Sequence, residues 1–463
     1  MKRVATLILA ALPFAVQAQT TPAPVSSSQE MVAERSTTVV LKEAPKPSPV
    51  TFTPYGFILL NAFFSDTPFA SKIYPGQVLP CPAASATVTG CNVGGSFNMT
   101  AQQTRLGLNI AFDDTAGWTK ATLSGRVEMD FNGGFAPTVT NSTGFYNALF
   151  RLRLAYMKAT WGGFSVLAGQ DYALLAPLFA TSVAWQAVPF FWQAGNLWNR
   201  SPQIRVAYDS TPKDGLAFGG AVAVLNPSDA TAIDAPTSPA TTPPTTTNPT
   251  SPGAAIDFGA GNRSRMPVFE GRVYAGLRTN GVKTVELGFG GHTNTRRYVS
   301  PGNGATFDIN ENALAIDLEA NVSFVTVKAE AWMGNAIDDF YSGILQPPVV
   351  IRTTGGTGTP PSPLLISKVQ SVATKGGWAQ LVLSPFPFLQ LTAGYGVEVA
   401  NTSQMVGMAG STRYRNSQFA YGLIFPAGKY WRFSFEGDTT ITNYYGGGNG
   451  KGSMYAVSSQ LSF

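Results

Sequence analysis

Apolar and polar residues alternate along this chain with a period of two, from about Pro54 to the last residue. A period of two places successive side chains on opposite faces of a β-strand. We count about sixteen such segments, each about 10 to 14 residues long, as expected for strands that cross a membrane at a tilt. They begin near Pro54, Gln102, Thr119, Asn147, Phe164, Ser201, Gly215, Met266, Lys283, Asn312, Ser323, Ser371, Phe388, Thr412, Tyr430 and Lys451.

The connections between these segments alternate between short and long. Glycine, asparagine, aspartate and proline supply the turn chemistry of the short ones. The short connections are Asp113 to Gly117, Trp161-Gly162-Gly163, Ser210 to Asp214, Asn280-Gly281, the step at Asn321, Ser384 to Pro387 and Pro426 to Lys429. The long ones include the Thr- and Pro-rich tract from Asn226 to Pro252 and the Gly-rich stretch after Ile351. This asymmetry predicts an all-β fold, a transmembrane antiparallel β-barrel of about 16 strands with short periplasmic turns and long external loops.

The alternation also assigns each side chain to the outer or the inner face of the barrel. Apolar residues share one face of the second, third and fifteenth segments: Leu106, Leu108, Ile110, Phe112, Leu123, Val127, Met129, Phe131, Trp431, Phe433 and Phe435. Polar and small residues share the other face: Arg105, Gly107, Asn109, Ala111, Thr122, Ser124, Arg126, Glu128, Asp130, Arg432, Ser434, Glu436 and Asp438. An apolar exterior with a polar interior predicts a water-filled passage.

The last segment places Tyr455, Val457, Leu461 and Phe463 on one face. A terminal aromatic residue that closes an amphipathic strand resembles the signal by which outer-membrane barrels are presented to the barrel assembly machinery. Tyr455 and Phe463 are therefore the candidate assembly signal, and the assembly machinery and outer-membrane lipid are expected partners.

The N-terminus predicts export. Lys2 and Arg3 precede an apolar run from Val4 to Val16, which ends in Val16-Gln17-Ala18. About 13 apolar residues are too few for a spanning helix, which needs ~20, and suit a cleaved signal peptide. We expect a signal peptide at residues 1–18, a periplasmic linker at 19–53 and the barrel at 54–463, in the outer membrane of the cell.

Composition agrees with a membrane barrel. Charged residues make up only 12% of the chain, about half of the share usual in soluble domains. The net charge of +5 falls to +3 (5 − 2) when Lys2 and Arg3 leave with the signal peptide. Because this excess is small, nucleic acid is not an expected partner. Cys81 and Cys91 lie close together in an exported chain, so we expect a disulfide between them.

The charges predicted on the lumen face are unevenly distributed along the chain. The basic ones come from the second to sixth segments: Arg105, Arg126, Arg151, Arg153 and Arg205. The acidic ones come from the tenth to fifteenth: Asp317, Glu319, Glu330, Glu398, Glu436 and Asp438. Since sequential strands are neighbours in the wall, the two sets should face each other across the pore and create a transverse field. The alternative is that each arginine pairs with a nearby acid, such as Arg126 with Glu128 or Asp130.

Three segments resemble the DcaP-like trimeric porins. They are Arg151-Leu152-Arg153-Leu154-Ala155-Tyr156, Leu167-Ala168-Gly169-Gln170 and Asn199-Arg200-Ser201-Pro202-Gln203-Ile204-Arg205. The resemblance implies a homotrimer that takes up small organic anions such as dicarboxylates. It also implies that the third long loop folds inward and narrows the channel.

That loop runs from about Asp171 to Arg200, and no charged residue lies between these two. An uncharged loop that is rich in aromatic residues is expected to be buried. Its candidate constriction residues are Trp185, Phe190, Phe191, Trp192 and Trp198. Either these aromatics contact solutes at the constriction, or they pack on the inner wall or on a neighbouring protomer.

The barrel predicts a porin, a water-filled channel for passive diffusion of small polar solutes. Two other classes of outer-membrane barrel are alternatives. An outer-membrane hydrolase needs a base beside its nucleophile, and the only histidine, His292, lies near the rim of the ninth segment with no catalytic or metal motif around it. We therefore expect no enzyme activity, no metal and no cofactor. An adhesin or structural barrel without an open pore is the remaining alternative, because long loops also serve binding.

Overall fold

The structure is a computed structural model. It describes residues 50–79, 94–112, 120–134, 148–210, 212–227, 260–300, 304–338, 340, 349–353, 365–408, 410 and 412–463. Several predicted features lie outside these residues: the signal peptide, the linker up to residue 49, the Cys81–Cys91 disulfide, the turn at Asp113 to Gly117, and the tract from Asn226 to Pro252 beyond residue 227.

The first half of the chain forms short strands after a long first one. They are β1 (Val50–Ser65), β2 (Ser96–Thr100), β3 (Arg105–Phe112), β4 (Thr122–Asp130), β5 (Arg151–Trp161), β6 (Phe164–Tyr172), β7 (Arg200–Asp209), β8 (Gly215–Leu225) and β9 (Val268–Thr279), with a short helix α1 (Ala260–Ser264) before β9.

The second half contains the longest strands of the described residues. They are β10 (Val282–Val299), β11 (Thr306–Val322), β12 (Val325–Asn335), β13 (Val349–Thr353), β14 (Leu365–Gln370), β15 (Ala373–Phe386), β16 (Leu389–Ala400), β17 (Arg413–Ala427), β18 (Trp431–Tyr444) and β19 (Asn449–Ser462). The strands β13 and β14 pair only with each other and form a hairpin outside the wall.

The described strands close into an antiparallel barrel. Each strand of the wall pairs with its neighbour in sequence, and β1 pairs with β19 at the seam. The strands β2 and β3 pair with successive parts of β1 and together act as one strand, so the wall has sixteen. The predicted sixteen-stranded transmembrane barrel is confirmed. Its first strand begins at Val50, within the predicted linker, because residues 50–53 already pair with β3.

The short connections are tight turns where they are described. Asn280 (φ 54°) and Gly281 (φ 77°) join β9 to β10 with both residues in the left-handed region, the geometry of a two-residue type I′ hairpin. The turn predicted at Asn321 lies two residues later, at Ser323 and Phe324, because Asn321 and Val322 still pair with β12.

The prediction that every connection on the external side is long is wrong at two places. Residues 300–305 join β10 to β11, and residues 445–448 join β18 to β19. At the first of these places the connection is short because the strands themselves are long: β10 has 18 residues and β11 has 17. Both strands extend well beyond the neighbouring β8 and β9 as a hairpin, which replaces an irregular loop.

The two faces of the wall differ as the alternation predicts. Phe435 on the outer face is 54% exposed, whereas the next residue, Glu436, is 4% exposed. Leu106, Phe112 and Leu123 are likewise exposed on the outside. In water such a surface would aggregate, so it is the lipid-facing side of a membrane barrel. In the described part of the chain, no helix is long and apolar enough to span a membrane.

Candidate pore constriction

The lumen is narrowed by residues 173–199, which connect β6 to β7 and which we call the inner loop. Its two ends meet where the Ala173 N–H donates to the Asn199 carbonyl oxygen (3.0 Å). Between these ends the chain lies inside the barrel, and Leu175, Phe191 and Ala194 have no exposed surface. The inward fold of this loop is the arrangement that the sequence resemblance implied.

Carboxyl groups of the opposite wall hold the backbone of the inner loop. Glu436 Oε1 on β18 accepts the N–H groups of Val183 and Ala184, each at 2.9 Å. Glu330 on β12 accepts the Leu178 N–H (2.7 Å) and the side-chain amide of Asn196 (2.6 Å). Both glutamates are less than 5% exposed. These two predicted pore-lining acids therefore anchor the loop and do not line an open passage.

Amide side chains continue this anchoring around the wall. Gln103 Oε1 accepts the N–H groups of Gln186 (2.9 Å) and Ala187 (3.0 Å). Asn61 on β1 donates to the Ala184 carbonyl oxygen (3.1 Å), and Gln380 on β15 accepts the Thr181 N–H (2.6 Å). Loop carbonyl and N–H groups that would be unsatisfied in the interior are thus paired with wall side chains.

The aromatic residues of the inner loop mostly contact one another. Trp185 stacks on Phe190 (4.4 Å between ring centroids), and Phe190 stacks on Phe191 (5.2 Å). The series continues to the wall at both ends, to Phe63 (6.0 Å) and to Trp378 (5.8 Å). Phe190 and Phe191 are buried. Phe190 and Phe191 therefore pack against other aromatic rings inside the barrel.

Trp192 and Trp198 take different places. The Trp192 ring packs edge-on against Tyr74 of the loop that follows β1 (6.0 Å). The guanidinium of Arg200 lies over the Trp198 ring, 5.0 Å from its centroid. Of the five predicted constriction aromatics, Trp185 and Trp198 are thus the two that lie next to the arginines described below.

The arginines at the external ends of β3, β5 and β7 form one cluster beside the inner loop. Arg153, only 2% exposed, contacts Glu128 (2.7 Å) and Asp130 (2.8 Å) and donates to the Tyr172 hydroxyl (2.8 Å). Arg151 contacts Asp130 at 2.6 Å, and both arginines donate to the Ala187 carbonyl oxygen. These contacts join the wall to the loop.

Arg105 completes this cluster on the adjacent strand. Its guanidinium lies 3.6 Å from Glu128 and donates to the Gln186 carbonyl oxygen at 2.5 Å. Arg200 lies over the Tyr172 ring, 5.7 Å from its centroid. Three guanidinium groups, those of Arg105, Arg151 and Arg153, contact the two carboxylates of Glu128 and Asp130. Arg200 adds a fourth cation beside Tyr172, so the cluster has an excess of positive charge.

A cavity of about 100 Å³ lies between the arginine cluster and the loop aromatics. Its walls include Arg105, Arg153, Tyr172, Phe179, Trp185 and Trp198. One side is therefore cationic and the other is aromatic. Because the inner loop forms one wall of this cavity, the cavity lies where the loop narrows the lumen.

Arg126 and Arg205 lie on the lumen face nearer the periplasmic end. Arg126 donates to Asn109 Oδ1 (2.8 Å) and lies over the Tyr55 ring. The pairing of Arg126 with Glu128 or Asp130, which was the alternative from the sequence, is therefore not the arrangement found. Arg205 forms an ion pair with Asp171 (3.1 Å) and donates to the Tyr172 carbonyl oxygen. All five predicted lumen arginines are thus in hydrogen bonds with the wall or the loop.

The acidic wall also carries cations, which the sequence argument left out. Arg272 contacts Asp317 (2.6 Å), and Lys283 contacts Glu319 (2.9 Å). Charges are thus paired within each wall. The prediction of a transverse field between an all-basic wall and an all-acidic wall is therefore wrong. The local excess at the arginine cluster remains.

The other two predicted acids are buried. Asp438 on β18 accepts a hydrogen bond from the Gln418 amide (3.2 Å), which also donates to the Pro75 carbonyl oxygen in the loop after β1. The single Thr440 hydroxyl lies between these two acceptors, 2.6 Å from Asp438 and 2.8 Å from the Pro75 carbonyl oxygen. Glu398 on β16 is 3% exposed. Asp438 thus supports a second inward-folded segment.

His292 is not the surface residue of a barrel rim that the sequence argument expected. It is 5% exposed and lies on the inner face of β10. Its Nδ1 lies 2.9 Å from Glu270 and its Nε2 3.3 Å from Glu311. Glu270 also accepts the Leu174 N–H (2.5 Å), at the start of the inner loop. The histidine therefore belongs to a buried network that fixes this end of the loop.

Comparison with solved structures identifies the architecture. The outer membrane channel DcaP of Acinetobacter baumannii superposes with a TM-score of 0.61 and 16% identity, over 90% of this chain and 98% of that one. The chain has the fold of the bacterial outer-membrane porins. The anion-selective porin of Comamonas acidovorans (TM-score 0.49, 10% identity, 89% of this chain and 100% of that one) is less similar. No protein-family model and no curated protein matches the sequence.

The porin fold, together with the apolar outer face, locates the chain in the outer membrane. Tyr455 and Phe463, the predicted assembly signal, lie on the exposed outer face of the last strand and at its end. Phe463 forms two backbone hydrogen bonds with Gly56, each 3.1 Å long, and so lies at the seam.

Proposed function

We propose that this chain is a porin, a channel without catalytic activity that passes small polar solutes and favours small organic anions. The observation that carries the proposal is the arginine cluster beside the aromatic side of the narrow cavity: three guanidinium groups contact two carboxylates, and Arg200 adds a fourth cation over the Tyr172 ring. An anion that enters this site meets a local excess of positive charge. A planar guanidinium fork suits a carboxylate and stays charged at any physiological pH.

The aromatic side of the cavity supports an organic solute over an inorganic ion. Phe179, Trp185 and Trp198 present ring surface opposite Arg105 and Arg153. A small carboxylate with an apolar body would place its charge toward the arginines and its carbon atoms against the rings. Because the cavity holds only about 100 Å³, larger solutes require side chains of the inner loop to move.

Ion selectivity tests this proposal. In a salt gradient across a planar bilayer, the wild-type reversal potential should indicate preference for anions. In the double variant Arg105→Gln and Arg200→Gln, the anion-to-cation permeability ratio should fall about fivefold, the effect of roughly 1 kcal/mol between unit charges 4 Å apart in water. These two arginines are chosen because they are less enclosed than Arg153.

The matched control is Arg432→Gln, which removes one exposed lumen-face charge at the periplasmic end of β18. This variant should keep the wild-type reversal potential. Cation selectivity in the wild type, or an equal loss in the control, would contradict the anion preference. Liposome swelling distinguishes the channel from a plugged adhesin barrel, because only an open channel admits small sugars or amino acids.

We also propose that the chain forms a homotrimer. On the described strands β3 to β8 the outer face carries exposed apolar residues such as Met157, Ile204 and Val222. These strands have only 8 to 11 residues, and neighbouring protomers would cover this low wall. Native mass analysis in mild detergent should give three times the protomer mass, and a monomer alone would contradict it. The Cys81–Cys91 disulfide stays a prediction.

A further inference from the structure

His292 lies between two carboxyl groups on the inner face of the wall. Strand register places it directly opposite Glu270 on β9, whereas Glu311 comes from β11 on its other side. The imidazole Nδ1 is 2.9 Å from Glu270 Oε1, and Nε2 is 3.3 Å from Glu311 Oε1. All three side chains are at most 1% exposed, so the ring and both carboxyl groups are shielded from solvent.

Two further charged side chains adjoin this group. Arg296, on the same face of β10, donates to Glu311 (2.9 Å) and to Asp338 in the segment after β12. The Phe340 ring packs edge-on against the imidazole, with 5.0 Å between ring centroids. We call His292, Glu270, Glu311, Arg296 and Asp338 the histidine cluster.

Charged groups on the neighbouring elements pair elsewhere. Arg205 on β7 contacts Asp171 (3.1 Å), and Arg272 on β9 contacts Asp317 (2.6 Å). Glu330 on β12 accepts the Leu178 N–H of the inner loop. Among the described residues, three carboxyl groups of the histidine cluster thus meet two groups that can carry positive charge, Arg296 and the imidazole.

A neutral imidazole fits this geometry poorly. It has one N–H and one lone pair, so if Nδ1 donates to Glu270, the lone pair on Nε2 faces a Glu311 oxygen at 3.3 Å. An imidazolium has an N–H on both nitrogens and places a positive charge between the two carboxylates. The doubly protonated ring is therefore the form that the histidine cluster accommodates.

Glu270 connects the imidazole to the inner loop. Its Oε1 faces Nδ1 of the ring, while its Oε2 accepts the Leu174 N–H (2.5 Å). Leu174 and Phe340 belong to the same buried apolar cluster, which fills the barrel at this end of the loop. The position of the first loop residues thus depends on a carboxyl group that the imidazole orients.

We propose that His292 is a positioning residue for the inner loop, and that its protonation decides whether the Leu174 end of the loop is held. This inference rests on the porin function proposed above and concerns the control of its constriction. As the pH rises and the ring loses a proton, two buried carboxylates are left against a neutral ring, which is costly. Glu311 keeps Arg296, so Glu270 turns away and releases the Leu174 N–H. The loop end is held below this transition and released above it.

Two neutral variants should lose the pH dependence at opposite levels. His292→Gln leaves two buried carboxylates without the cation between them, so the Leu174 end should be released at every pH. Glu270→Gln keeps an oxygen for the Leu174 N–H, and its amide can donate to a neutral imidazole. In this variant the Leu174 end should be held at every pH. A histidine with a merely structural role would not give this opposition.

Hydrogen exchange at the Leu174 amide measures release without reliance on conduction. Peptides of the full chain, exchanged in detergent, are analysed by mass spectrometry. Because exchange itself accelerates with pH, the wild type is compared with Glu270→Gln at the same pH. The two should exchange equally at about pH 6, and the wild type should exchange about tenfold faster at about pH 9. Asp308→Asn removes an exposed acid paired with Arg297 on the same hairpin, and as the matched control it should follow the wild type.

The protonation state of the ring can be observed directly, because the chain has one histidine. With ¹⁵N-labelled histidine, NMR should show an imidazolium at about pH 7 that loses its proton over the range in which exchange at Leu174 accelerates. A neutral ring at about pH 7 would overturn the proposal. So would equal exchange in the wild type and Glu270→Gln at both pH values.

Planar-bilayer recordings separate this proposal from the porin function. In the wild type, brief openings to higher conductance should become about tenfold more frequent between about pH 6 and about pH 9. A wild type that never conducts would contradict the porin function, while exchange and NMR would still decide the role of His292. The heat-dependent gel shift of folded barrels verifies that the variants fold, and the wild-type exchange and NMR measurements decide if they do not.

Discussion

Replacement of both Glu330 and Glu436 by alanine is expected to raise the single-channel conductance severalfold. The two carboxyl groups accept hydrogen bonds from Leu178, Val183 and Ala184 along one arm of the inner loop. Each buried donor left without an acceptor costs about 1–3 kcal/mol. The loop should therefore leave its position against this wall and open the narrow part of the lumen.

Planar-bilayer recordings measure this effect directly. The double variant Glu330→Gln and Glu436→Gln keeps an acceptor oxygen at each site and should stay close to the wild-type conductance. Glu319→Ala, which removes a lumen acid paired with Lys283, serves as a second control and should leave the conductance nearly unchanged. An alanine variant with wild-type conductance would show that the inner loop does not depend on these anchors.

Arg153→Ala is expected to destabilise the barrel by about 3–5 kcal/mol, the usual cost of removing one partner from a buried ion pair. Glu128 and Asp130 would stay buried with one cation fewer, and the Tyr172 hydroxyl and the Ala187 carbonyl oxygen would each lose a donor. Urea unfolding of the protein in detergent or lipid, followed by the gel shift of the folded form, measures the change.

Arg126→Ala is the matched control for this measurement. Arg126 also lies on the lumen face, but it is partly exposed and donates to a neutral amide, Asn109. Its loss should cost about 1 kcal/mol, the net value of an ordinary hydrogen bond. If the two variants unfolded at the same urea concentration, the arginine cluster would have no special part in stability.

The barrel could be predicted from the sequence because strand faces depend on local alternation. One residue outward and the next inward is a rule that each strand obeys separately, as Phe435 and Glu436 illustrate. Sixteen weak signals together define the wall. Strand β2 was missed, because it precedes the second predicted segment, which begins near Gln102. Residues 101–104 also shift the alternation by one position: Phe97 and Met99 are exposed in β2, whereas Leu106 and Phe112 are exposed in β3.

The contacts of the constriction could not be predicted in the same way. The alternation places Glu330 and Glu436 in the lumen, but it does not indicate that they meet loop backbone 152 and 253 positions away in sequence. Lone polar residues such as Gln103 and Asn61 gave no signal, since a lumen amide is ordinary in a barrel. His292 was misjudged because its partners Glu270 and Glu311 come from two other strands.

The seam of the wall bears on how the molecule is made. At the seam Phe57 pairs with Ser462, so the contact that closes the sheet joins residues about 400 positions apart. Contacts of such separation form late, because loop-closure entropy is lost before they contribute stability. Until β19 arrives, β1 has an unpaired edge that invites association with other chains. Spontaneous refolding should therefore be slow and prone to aggregation, and a catalyst that holds β1 open for β19 would have its largest effect on this final step.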